Sequence, residues 1–88
     1  MIIYALVARG TLVLAEYTSF DGDFPSLARK ILVRSSKSKS KKSFYKDNYV
    51  FTLFTEEEFT FLCLNMNTVP KEISFKFLDQ LAETFYSE

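Results

Sequence analysis

Histidine and tryptophan are missing from this 88-residue sequence, cysteine occurs once, and glycine and proline occur twice each. Without histidine, imidazole metal sites and Ser-His or Cys-His catalysis are excluded. The single Cys63 excludes an intramolecular disulfide framework and a multi-cysteine zinc site, and it points to a reducing compartment. So few glycines and prolines leave little room for a loop-built scaffold. No run approaches the roughly twenty apolar residues needed to span a bilayer. The opening MIIYALVA is apolar, but no basic flank precedes it and Arg9 ends it early, so a secretory signal is not expected. No glycine stands at position 2, which removes myristoylation. Gly-rich phosphate cradles and paired-carboxylate constellations are also lacking, so no cofactor, no metal and no enzymatic activity are expected.

What is present is apolar and aromatic. Hydrophobic residues make up 48% of the chain and aromatics 17%, with ten Phe and five Tyr. At 10.2 kDa the chain forms one domain over residues 1–88, in which every apolar element shares a core. The formal net charge is zero, but it is unevenly distributed. Residues 29–46 carry eight bases and no acid, whereas 47–88 carry two bases against eight acids. Within the basic stretch, RSSKSKSKKSFYK alternates Lys and Ser without apolar period until Phe44, which predicts a solvated loop. That loop, through Lys37, Lys39, Lys41 and Lys42, could meet an anionic membrane surface or serve only as a soluble connector. Nucleic acid is not expected, because no aromatics interleave with the lysines and the rest of the chain is acidic.

Hydrophobic periodicity predicts seven elements. Residues 2–8 (IIYALVA) are apolar on both faces, as a central strand requires. Arg9-Gly10 predicts a hairpin turn into a second strand over 11–17. Asp21-Gly22 marks a loop turn, and Asp23 a helix N-cap ahead of Pro25. Leu27, Ala28, Ile31 and Leu32 predict an amphipathic helix over 24–34, with Arg29, Lys30 and Arg34 on its polar side. From Phe44 the period becomes two: a short strand at 43–46, a turn at Asp47-Asn48, a strand at 49–55, an exposed Glu56-Glu57-Glu58 turn, and a strand at 59–65. A second helix enters through Thr68 and Pro70, with a stripe of Ile73, Phe77, Leu81 and Phe85 flanked by Leu78 and Ala82. The order β-β-α-β-β-β-α gives an α+β fold, a five-stranded antiparallel-rich sheet between helices.

Individual residues have modest readings. Cys63 alternates within an apolar strand and reads as a small buried hydrophobe. The three glutamates lack the spacing of a calcium loop and read as a solvated turn. Arg9 reads as a turn residue. Phe44 and Tyr45 point to opposite faces of a short edge strand. Phe44 either packs beneath the first helix or lines a groove beside it, and a groove there would suit a peptide.

The opening YALVARGTLVLAEYT, with its ARGT turn, together with FPSLARKIL, NYVFTLF, FTFLCLN and ISFKFLDQLAETF, resembles the longin domain. More narrowly, it is similar to that of longin R-SNAREs of the tetanus-insensitive VAMP subfamily. The likeness covers nearly the whole chain. It implies the longin, profilin-like fold and a non-catalytic regulatory and sorting domain on the cytosolic face of endomembranes (endosome, lysosome or vacuole, and transport vesicles). The SNARE motif and membrane anchor that follow the domain in the family lie outside this chain. In the family the domain folds back on its SNARE motif or binds sorting adaptors, restraining membrane fusion, through a groove between the first helix and the third strand. The resemblance places that groove at Phe24, Leu27 and Ile31 on the helix side and at Lys42, Phe44 and Tyr45 on the strand side. Lys42 stands where relatives usually carry an apolar residue. The isolated domain is expected to be monomeric.

Three functions therefore stand open: an R-SNARE regulatory domain binding its own SNARE motif, other SNAREs or sorting adaptors; a longin-fold subunit of a coat or tethering complex; and an anionic-lipid-binding module using the lysine loop.

Overall fold

A computed structural model describes residues 2–19, 22–34 and 40–87. The elements follow in the expected order: β1 (Tyr4–Arg9), β2 (Leu12–Thr18), α1 (Phe24–Arg34), β3 (Ser40–Lys46), β4 (Tyr49–Glu56), β5 (Phe59–Met66) and α2 (Lys71–Tyr86). The strands form one five-stranded sheet in the order β2-β1-β5-β4-β3, with every neighbouring pair antiparallel. The three central strands are the three whose sequences are apolar on both faces, as burial on two sides demands.

The pleat divides the core in two. Tyr4, Leu6, Phe51, Leu53, Leu62 and Leu64 face α1, which contributes the buried Ala28 and Leu32. Ala5, Val7, Phe54, Phe61 and Cys63 face α2, which contributes Leu78 and Ala82. The aromatic ring of Phe59 meets that of Phe85 edge-on at 5.1 Å, seating the last turns of α2 on β5.

Several local expectations shift. The β1–β2 turn is Gly10-Thr11, one position later than expected. Arg9 still pairs with Leu12 across the ladder, and Gly10 takes the left-handed conformation at φ +62°. The acidic turn is Glu57-Glu58, because Glu56 remains in β4 opposite Phe59. The Asp47-Asn48 turn is as expected, with Asp47 at φ 55°. Asp23 precedes α1, its carbonyl accepting the Leu27 N–H at 3.3 Å, whereas Asp21 of the predicted turn lies outside the described residues.

Two differences are larger. β3 begins at Ser40 rather than Ser43, so Lys41 and Lys42 belong to a strand and not to a loop. The eight-residue β4 supplies a ladder that Ser40, Lys41 and Lys42 complete opposite Thr55, Phe54 and Leu53. In α2 the buried line is Ser74, Leu78 and Ala82. Ile73, which the apolar stripe placed inward, is 53% exposed, and Phe77, Leu81 and Phe85 are half-buried on one flank. The inward line follows Ser74 because its hydroxyl donates to Asn65 Oδ1 of β5 at 3.1 Å, satisfying two buried polar groups together.

Candidate functional site

The edge strand β3 extends beside α1 on one face of the sheet, and a groove of about 280 Å³ lies between them. Its floor is the buried Phe51. The cross-strand partner of Phe51 is Phe44, which rises from β3 as one wall and stays 36% exposed. Leu27 and Ile31, one helical turn apart on α1, form the other wall. Lys30 and Lys46 stand at the rim.

Local chemistry explains the construction. Ala28 and Leu32 hold α1 on the sheet, and the small Ala28 permits close approach. Leu27 and Ile31 are then turned toward β3 by the helical period. On β3, residues of one parity share the α1 face, so Lys42, Phe44 and Lys46 lie opposite Leu53, Phe51 and Tyr49.

Of the residues expected in the groove, Leu27, Ile31 and Phe44 come together there. Phe24 packs against the same core one turn earlier, its ring edge-on to Tyr49 at 5.6 Å. Lys42 is exposed on the groove face two residues from Phe44. Tyr45 does not belong with them: it pairs with Val50 on the opposite face and is 61% exposed. Adjacent residues of a strand cannot line one cleft, and this corrects its placement beside Phe44. The sequence reading missed Lys30, Lys46 and Phe51. Turn geometry carried the signal for Phe51 and Lys46, since the Asp47-Asn48 turn fixes Phe51 opposite Phe44 and Tyr49 opposite Lys46.

Of the lysines expected to form one anionic contact, the two that are described, Lys41 and Lys42, face opposite sides of the sheet. Lys42 is on the groove face. Lys41 turns toward α2, its ammonium 3.8 Å from Asp79 and over the rings of Phe54 and Phe75 at 5.4 and 5.7 Å. Lys37 and Lys39 lie outside the described residues.

Elsewhere the candidates are structural. Burial pushes the Cys63 thiol up to about 12 from its ordinary 9.0, which makes it a poor nucleophile. Arg9 and Glu58, both exposed, form an ion pair at 3.0 Å that joins the two hairpin tips, a use the sequence did not disclose. Among the described residues no group of His, Cys, Asp and Glu is placed to hold a metal, and no helix is long and apolar enough to cross a membrane.

A five-stranded antiparallel sheet between two helices in this order, with an open groove beside the first helix, defines the longin class of fold. The chain matches the longin family, described as a regulated-SNARE-like domain, over residues 14–88, and it belongs to that family. It is 38% identical over 84 residues to vesicle-associated membrane protein 724 of Arabidopsis thaliana, covering 94% of this chain and 38% of that protein. Against vesicle-associated membrane protein 7B of Dictyostelium discoideum it is 38% identical over 86 residues, covering 98% and 33%. Vesicle-associated membrane protein 714 of Arabidopsis thaliana is 35% identical over 86 residues, covering 96% and 39%. The chain thus spans about a third to two-fifths of the length of these relatives.

Proposed function

We propose that this domain is the regulatory and sorting module of an R-SNARE in vesicle traffic and membrane fusion, acting on the cytosolic face of endomembranes. Its α1–β3 groove receives a SNARE motif, in the same protein or another, or a segment of a sorting adaptor. The observation that carries this reading is Phe44, a large apolar side chain held half-open above the buried Phe51 and opposite Leu27 and Ile31. A ring that served only the core would be closed over. Covering the remaining exposed part of Phe44 contributes on the order of 1 kcal/mol, and the neighbouring aliphatic walls add to it.

The test is a titration of the isotope-labelled chain with an R-SNARE motif peptide, read by amide shifts. Shifts clustered on 24–34 and 42–46, and lost in Phe44→Ser, support the groove. A Phe44→Ser protein that keeps its circular dichroism spectrum excludes unfolding as the cause. If R-SNARE and adaptor peptides at millimolar concentration leave those amides unmoved, the groove is not the docking surface. The anionic-lipid reading gains nothing from the divergent directions of Lys41 and Lys42.

A further inference from the structure

The walls of the groove are apolar, but its rim is not neutral. Lys30 and Lys46 line it from α1 and β3, and Lys42 stands on the same face of β3. Among the described residues no carboxylate lines the groove, and none pairs with these three lysines. Lys41 is the contrast: the one β3 lysine directed at α2 meets Asp79. Positive charge on the groove face is therefore left uncompensated within the described residues.

From this we infer that the groove takes an acidic segment, a peptide whose apolar side chains enter between Leu27, Ile31 and Phe44 while its carboxylates meet Lys30, Lys42 and Lys46. The inference rests on the groove being a docking surface. Apolar burial supplies attraction without discrimination, because it has no direction. The lysine stems extend the apolar walls, and their ammonium heads remain in water at the edge. A basic segment would bring like charges together there, so the rim selects against it as well as for acids.

Selection from a random 16-residue peptide display library on the full 88-residue chain, counter-selected on Phe44→Ser, isolates groove-dependent peptides without presupposing the partner. Those peptides should be rich in Asp and Glu around apolar anchors. Their affinity should fall about fivefold in Lys30→Gln/Lys46→Gln, the scale of two exposed ion pairs, and fall again as salt rises from about 50 to about 500 mM. Replacing the peptide's Glu by Lys should restore binding to Lys30→Glu/Lys46→Glu, which no merely structural effect of those lysines would produce. Groove-dependent peptides without acidic excess, or with affinity unchanged by the double glutamine variant, would overturn the charge inference and leave the docking groove standing. Failure to recover any Phe44-dependent peptide overturns both.

Discussion

Tyr4, wholly buried in β1, donates its phenolic hydrogen to Glu16 Oε2 of the edge strand β2 at 2.6 Å. The bond reaches from the core to the open side of the sheet. Desolvation raises the Tyr4 pKa above its ordinary 10.0, and the adjoining carboxylate raises it further. Tyr4→Phe should cost about 1–3 kcal/mol, because a hydroxyl bonded to a charged acceptor is lost from an otherwise intact ring. Glu16→Gln keeps an acceptor oxygen and should cost less. Urea unfolding of the two variants separates them, and equal midpoints would show that the carboxylate charge matters more than the phenol.

Stability should decline on the alkaline side. In the folded state the Cys63 thiol titrates near 12 rather than 9.0, and Tyr4 also titrates above its ordinary 10.0. Both groups stay protonated in the native protein at a pH where the unfolded chain has begun to release its protons. The stabilisation is therefore complete below pH 9 and is lost as the pH climbs toward the folded values, at about 1.4 kcal/mol per pH unit for each group titrating only in the unfolded chain. Urea midpoints from pH 7 to 11 should fall from about pH 9 onward, less steeply in Cys63→Ala. A flat profile to pH 11 would contradict this.

Ser74→Ala should destabilise by about 1–3 kcal/mol, although it removes a single oxygen from a residue type usually found at the surface. It leaves the buried Asn65 Oδ1 without the donor that holds it at 3.1 Å. Ser74→Thr, which keeps the hydroxyl, tests whether the hydrogen bond or the space is limiting. Melting temperatures of both variants decide it.

Lys41 covers apolar surface as well as carrying charge. Its ammonium sits over Phe54 and Phe75, and its pairing with Asp79 is half-exposed. Lys41→Met should therefore cost no more than about 1 kcal/mol, and Lys41→Ala more, since the stem also shields Phe54. If Met and Ala are equally damaging in thermal melts, the charge and not the stem is what counts.

Much of the architecture is legible from period and turn chemistry. β1, β4 and β5 declare themselves central by carrying apolar residues on both faces. The Asp47-Asn48 turn fixes which residues of β3 and β4 oppose one another, and so sets Phe44 and Tyr45 on opposite faces; that Phe44 is the one facing α1 comes from the packing of Phe51 beneath that helix. Leu27 and Ile31 follow from helical spacing. The remainder depends on partners far along the chain. The length of β3 is set by β4, and lysines at its start give no apolar period to announce it. Ser74 reads as polar surface until Asn65 is known to lie across from it. Lys30 and Lys46 read as solvated until α1 and β3 are seen to flank one opening.

The strand order also fixes a schedule. Tyr4 pairs with Leu64, and Arg9 with Phe59, so the first strand lies between β2 and the last strand to be made. A chain emerging from the ribosome can close its opening hairpin early, but that hairpin's inner edge has no complete neighbour until Leu64 has been synthesised. Long-range antiparallel pairing of this kind folds slowly, because loop closure precedes the contacts that reward it. β4 reaches the N-terminal hairpin only through β5, so the cleft beside β3 takes its final form only once the fifth strand has slotted between its neighbours. A nascent fragment ending before residue 66 thus has no finished cleft to offer, and any ligand of that cleft must wait for nearly the whole domain.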